Sequence, residues 1–198
     1  MEHWNETLFL LLNAGPGASA TTVASARFLA DDLIWIVPAG LLVAWLRGSP
    51  GTRQNLVAAT LAGLTALLIN QLIGLLWYHP RPFEARIGQV LIAHVQESSF
   101  PSDHLSLIWA VAFGLLLHAP TRLAGCALAL SGMPVAWARI YLGVHFPLDM
   151  LGAALVALCS ACLILPARKP LITPLMRLLL VAHQALLAGL IRRGWVRQ

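Results

Sequence analysis

The stretch SSFPSDHLSLIWAVAFGLLL, Ser98 to Leu117, sets a turn-forming polar segment directly against an apolar run. Pro101 followed by Ser102 and Asp103 marks a helix start, and no Asp, Glu, Lys or Arg follows as far as Leu117. A helix from Ser102 to Leu117 with that composition belongs in hydrocarbon. Comparable runs from Leu29 to Leu46, Leu56 to Leu76, Leu123 to Ile140 and Leu148 to Leu165 predict four more helices. A further run, Leu175 to Ile191, carries Arg177 and Gln184 on one stripe, which fits either a span or a helix lying in the interface. The expected fold is all-α: a polytopic membrane bundle of five to six transmembrane helices, forming a single domain over residues 1–198.

Composition agrees. Hydrophobic residues make up 59% of the chain and charged ones 11%, against about 25% charged in soluble domains; mean hydropathy is +0.76. The formal charge of +5 does not point to nucleic acid, because the basic residues sit at the edges of apolar runs and form no patch. Arg47 and Arg53, Arg122, and Arg168 with Lys169 lie in short links without acids, which makes those links cytoplasmic. Glu2, Glu6, Asp31, Asp32, Glu84, Glu97, Asp103 and Asp149 then fall toward the opposite face, periplasmic in a bacterial inner membrane. Arg192, Arg193 and Arg197 favour the cytoplasm and so oppose a crossing by the last run. The N-terminus lacks the basic segment of a cleaved signal peptide. Cys126, Cys159 and Cys162 lie inside apolar runs and read as core residues. The longest interruption, Trp77 to Pro101, contains HPRPF and a semi-apolar piece, Ile87 to Val95, too short to span and expected in the interface.

Six polar groups collect at the outer helix ends: Arg81, Ser102, His104, Arg139, His145 and Asp149. Ionisable groups at such positions are functional candidates. Arg81 and Arg139 offer planar forks for phosphate oxygens, and Ser102 as an N-cap aims its hydroxyl and the following amides at an anion. His145 and Asp149 lie four apart behind Pro147, so Asp149 can orient the imidazole and leave a lone pair for nucleophilic attack. His104 suits proton transfer in either direction. Plainer roles exist for each alone: snorkelling anchor, simple cap, first-turn acid. A metal site from His79, His104, His145 and Asp149 is disfavoured by the adjacent arginines, which call for an anionic ligand, so no metal or other cofactor is expected. His3, His94, His118 and His183 read as interface or packing residues, with His94 on a loop within reach of substrate. Asp31 and Asp32 read as a helix-start pair or partners of a site arginine.

PSDH at Pro101 to His104 and ARIYLGVHFPLD at Ala138 to Asp149 resemble the second and third motifs of the type-2 phosphatidic acid phosphatase superfamily, and Arg81-Pro82 resembles the end of its first. HPRPF, SSFPSDH and RIYLGVHFPLDMLGA are most similar to the bacitracin-resistance type of bacterial undecaprenyl-diphosphatase. Two positions depart from the pattern: Gly74 stands where the first motif has Lys, and Ala138 where the third has Ser. The resemblance implies metal-independent phosphoryl transfer with His145 as nucleophile through a phosphohistidine, Asp149 orienting it, His104 as general acid and base, and Arg81, Ser102 and Arg139 binding phosphate. His79, Asp103 and Arg86 are candidate substrate contacts, His79 or Arg86 in place of the missing Lys. The implied substrate is undecaprenyl diphosphate in the bilayer, hydrolysed to recycle the peptidoglycan lipid carrier and confer bacitracin resistance. A broader phosphatase acting on phosphatidic acid or phosphatidylglycerophosphate, and a non-hydrolytic lipid-phosphate binder or flippase, are the alternatives.

Overall fold

Ser19 and Ser49 each accept the amide of the residue three positions on, Thr22 at 3.0 Å and Thr52 at 3.2 Å, and so start helices well before the apolar runs they introduce. The computed structural model describes residues 2–197, and its helices are α1 (Glu2–Leu12), α2 (Ala20–Arg27), α3 (Ile36–Arg47), α4 (Pro50–Leu76), α5 (Asp103–Leu116), α6 (Arg122–Tyr141), α7 (Pro147–Ala167) and α8 (Thr173–Arg192). A π turn, Phe28–Asp32, and a 3-10 turn, Leu33–Trp35, join α2 to α3, giving one segment from Ala20 to Arg47. That segment, α4, and the stretches Ala119–Tyr141, Pro147–Ala167 and Pro170–Arg192 are long and apolar enough to cross a bilayer, whereas α5 is shorter. The protein is a multi-pass membrane protein.

Helix α5 is the centre, packed against α4, α6 and α7 through Leu105, Ile108, Ala110 and Val111. Lipid gives apolar helices no solvent reason to associate, so close backbone approach must hold them. The opposite ends of the bundle differ in chemistry. At the basic end Arg168 reaches His118 (2.6 Å) and Asn55 (2.7 Å), and Arg53 donates to the carbonyls of Trp45 and Arg197. The other end gathers Asp103, Arg139 and Asp149. There Asn70 of α4 donates to Asp103 at 2.7 Å, yet α4 continues to Leu76, about 9 Å further. The start of α5 is therefore recessed below the rim.

α8 does not return to that recessed end. His183, in its middle, bonds Trp45 (3.2 Å) and the Arg197 carbonyl (2.9 Å), while the Arg197 amide donates to Leu46 (3.0 Å). Its start follows Arg168 and its middle touches the end of α3, so α8 lies across the basic end. This sets Arg197 beside Arg53 at the basic end and fits a surface helix better than a span for the last run.

One expectation changes. The cysteines are all exposed on the outside of the bundle; in a membrane protein an apolar run faces lipid as readily as core. The piece from Ile87 to Val95 is irregular chain. It folds over the α6–α7 turn, where Leu91 donates to the Leu142 carbonyl at 3.0 Å and Gln89 donates to Asn13 at 2.7 Å. Gly143, at φ +82°, makes that approach possible, since a Cβ there would lie 2.0 Å from the Gln89 carbonyl oxygen. Helix α1, unmarked in the sequence reading, closes the same region: Asn5 accepts the Leu148 amide at 3.0 Å and Phe9 packs edge-on against Phe146.

Candidate active site

The turn from α6 into α7 carries His145 to the recessed end, and Pro147 starts α7 immediately after it. Asp149, in the first turn, accepts the Phe146 amide at 2.8 Å and faces His145 Nδ1 at 3.1 Å through the same oxygen, Oδ2. His145 and Asp149 are both 1% exposed. Because Nδ1 donates to the carboxylate, Nε2 keeps its lone pair, which points at Arg81 Nη1, 3.1 Å away. Burial, and then the charges of Arg139 and Arg81, hold the His145 imidazole well below its ordinary pKa, so the ring is neutral. A neutral, oriented imidazole with its lone pair toward a guanidinium is prepared for an electrophile that the guanidinium also binds.

Arg81 is fixed from several sides. Its Nε donates to the Glu97 carbonyl (3.1 Å) and its Nη1 to that of Val144 (3.0 Å). Its backbone amide meets Glu84, whose other oxygen takes the Tyr78 hydroxyl at 2.6 Å, which makes Glu84 a staple of this loop. Arg139, on the last turn of α6, donates to the Ala30 carbonyl at 3.1 Å and lies 3.8 Å from Asp31, so the π turn supplies both partners. Asp31 is thus the arginine partner that the sequence offered as one of two roles.

Several buried polar atoms have no partner. Ser102 is an N-cap by position, but its hydroxyl caps nothing and is left unbonded, as is Arg139 Nε. Buried polar groups are seldom left so, and the first-turn amides of α5 lack helical acceptors as well. His104, the second residue of α5, is partly buried, with the charged Arg139 and Arg81 and the His94 ring as neighbours. The structure therefore brings together all six residues: Arg81, Ser102, His104, Arg139, His145 and Asp149. The guanidinium groups of Arg81 and Arg139, the Ser102 hydroxyl and the first amides of α5 are a donor set suited to an oxyanion.

The sequence matches the PAP2 superfamily over residues 55–172. The chain belongs to that superfamily. It is 37% identical over 201 residues to the putative undecaprenyl-diphosphatase YbjG of Escherichia coli, covering 100% of this chain and 99% of that one. It is 37% identical over 118 residues to the undecaprenyl-diphosphatase BcrC of Bacillus subtilis, 60% of either chain. Among solved structures, LpxE of Aquifex aeolicus superposes with a TM-score of 0.67 at 21% identity over 81% of this chain and 93% of that one. A PAP2-type phosphatidylglycerolphosphate phosphatase of Bacillus subtilis gives 0.60 at 19% identity, covering 86% and 87%. Both share the fold.

The two departures from the superfamily pattern have local causes. Ala138 is fully buried against Ala26 and Ala30, where a hydroxyl would meet helix rather than ligand. A Cβ at Gly74 would stand 3.2 Å from that of Ser98, so the loop after α4 takes the space.

Among the described residues, none of the three candidate substrate contacts hydrogen-bonds to those six. Asp103 is tied to Asn70 and Gln71 and bridges α5 to α4. Arg86 is exposed in a turn at φ 58° and makes no side-chain hydrogen bond among the described residues. His79 packs edge-on against Trp77 and Phe146 and borders, with Asp149, a cleft of about 460 Å³.

Two other residues enter the site. Ser99, fully buried, donates to Asp149 Oδ2 at 2.5 Å. Its signal was its place in the SSFPSDH stretch, but small serines in loops are common enough to hide it. His94 accepts from Arg139 Nη2 at 3.0 Å, and its ring centre is 6.4 Å from that of His145. Of the two readings the sequence left for it, packing and a loop within reach of substrate, its place beside Arg139 and His145 fits the second.

Proposed function

We propose that this protein is an undecaprenyl-diphosphate phosphatase that recycles the lipid carrier of peptidoglycan synthesis, acting as one domain in the bacterial inner membrane. The undecaprenyl-diphosphatase names of its relatives support the substrate. The acid-poor basic links support a site facing the periplasm, opposite the cytoplasmic end of the bundle.

One observation supports the chemistry above the others: His145 presents its Nε2 lone pair to Arg81 while Ser99 and Asp149 fix the ring from behind. In the proposed reaction Nε2 attacks the terminal phosphorus in line. The P–N bond forms as the bond to the bridging oxygen breaks, and His104 protonates the departing lipid phosphate, which leaves His104 neutral for the second step. Asp149 stabilises the charged ring. Water, deprotonated by His104, then attacks phosphorus and releases inorganic phosphate, returning His145 to neutrality. Arg81, Arg139, Ser102 and the first amides of α5 hold the equatorial oxygens, each such donor contributing about 2.7 to 4 kcal/mol in comparable sites. Every step uses this chain's own groups and water. The recess at the start of α5 suits a phosphate whose prenyl tail stays in the bilayer.

Phosphate release by purified protein in detergent with EDTA tests this, using undecaprenyl diphosphate and phosphatidic acid in parallel with His145→Ala. Faster release from the diphosphate, abolished in the variant, is expected. Faster turnover of phosphatidic acid would move the assignment to a general lipid phosphatase, and no release from either would favour a binder.

A further inference from the structure

His94 lies on the irregular chain between Ile87 and Glu97, held over the α6–α7 turn by Leu91 on both sides: its amide bonds Leu142 and its carbonyl accepts from Arg27 at 2.5 Å. The bonds of His94 define its tautomer. Arg139 can only donate, so Nε2 carries the lone pair that accepts from it at 3.0 Å, and Nδ1–H is left to donate to the Val95 carbonyl at 3.1 Å. Burial, then the charge of Arg81, lowers the His94 pKa and keeps the ring neutral. Nε2 thus gives Arg139 the acceptor that a phosphate oxygen would give it.

The neighbours of His94 indicate where it stands relative to a ligand. Arg139 Nε and the Ser102 hydroxyl are buried and unbonded, and His145 is 1% exposed, whereas His94 is half-buried. A phosphoryl group that reaches His145 lies deep, and what it is attached to must extend toward less buried groups, of which His94, 6.4 Å from His145 between ring centres, is one. In a phosphate monoester the trailing part is an ester oxygen and carbon. In a diphosphate it is a second anionic phosphate, which needs a donor beyond those around the terminal one.

We propose that His94 contacts substrate and is the specificity-determining residue for the second phosphate of a diphosphate. When the terminal phosphate takes over Arg139, the ring is released, takes a proton from solvent at Nε2 and donates it to the second phosphate. This deepens the phosphatase reading above and rests on it for the position of the terminal phosphate.

Calorimetric titration of the purified protein with methylenediphosphonate and with inorganic phosphate tests the contact without needing turnover. The wild type is expected to bind the diphosphonate more tightly and with proton uptake, read from its dependence on buffer ionisation heat. His94→Ala is expected to weaken the diphosphonate about tenfold or more, as loss of a hydrogen bond to a charged group does, to abolish the uptake, and to shift phosphate by less than about threefold. His94→Gln, which keeps a donor, recovers part of the affinity without the uptake. Equal shifts for both ligands, no shift for either, or a wild type that does not prefer the diphosphonate would overturn the proposal. A wild type that shows the preference but releases no phosphate from undecaprenyl diphosphate would instead sink the phosphatase reading and leave the contact standing.

Discussion

Two buried histidines, one at either end of the bundle, have opposite fates. His183 is 4% exposed, and both nitrogens are engaged by neutral partners: the Trp45 indole donates to Nδ1, and Nε2 donates to the Arg197 carbonyl. Nothing is left over for chemistry. His145 also engages both nitrogens, but with a carboxylate behind and a guanidinium in front. A phosphate can claim the guanidinium and leave the lone pair free. Burial and full hydrogen bonding therefore do not separate a structural histidine from the proposed nucleophile; the charge and exchangeability of the partners do.

Replacing the two rings gives the sharpest contrast. His145→Gln should lower phosphate release from undecaprenyl diphosphate by at least about 10³-fold, as loss of a nucleophile does elsewhere, with little change in Tm in detergent. Comparable losses from His183→Gln would break the comparison. Next in size, Arg139→Ala should cost about 10²- to 10³-fold in kcat, and phosphate inhibition should weaken in parallel. The equivalent change at the basic end, Arg168→Ala, should leave kcat within about threefold, because its bonds go to His118 and Asn55.

Ser99→Ala should reduce kcat by about tenfold, since it removes one hydrogen bond from the carboxylate that orients His145. The pH profile distinguishes this positioning role from simple loss of packing. With the His145 pKa held below its ordinary 6.5, protonation of this ring should contribute an acid limb to kcat/KM that lies below pH 6.5. Ser99→Ala should move that acid limb, whereas a packing defect would scale the profile without shifting it. The smallest effect concerns His183→Ala, which should lower Tm by about 3 °C through the unpaired Trp45 indole and Arg197 carbonyl and leave kcat/KM nearly unchanged in the same release assay.

The membrane bundle and the six polar residues of the site were legible because both are written in local pattern: apolar runs of spanning length, and polar residues at their ends in ordered motifs. What escaped depends on tertiary partners. Helix α8 has the length of a span, and only the contacts of His183 and Arg197 place it across the basic end. The cysteines sit in apolar runs, yet which side of a helix faces lipid is set by the neighbouring helices. Arg86 had the charge to replace the missing lysine, and its positive φ and exposure could not be read from the sequence. His94 had no periodicity or motif to mark it, because an irregular loop is positioned by anchors such as Gln89 and Leu91 rather than by its own sequence. Ser99 was visible in the sequence but not its partner, fifty residues away on α7.

In the proposed mechanism His145, and not His183 or another group, carries the phosphoryl group. The most direct measurement is an alkaline quench of the protein during turnover of undecaprenyl diphosphate labelled in its terminal phosphate, followed by mapping of the label. An acid-labile, alkali-stable label on the His145 peptide, kept in His183→Gln and absent in His145→Gln, is the predicted result. Label on a different residue, or a His145→Gln protein that still turns over near the wild-type rate, would contradict it.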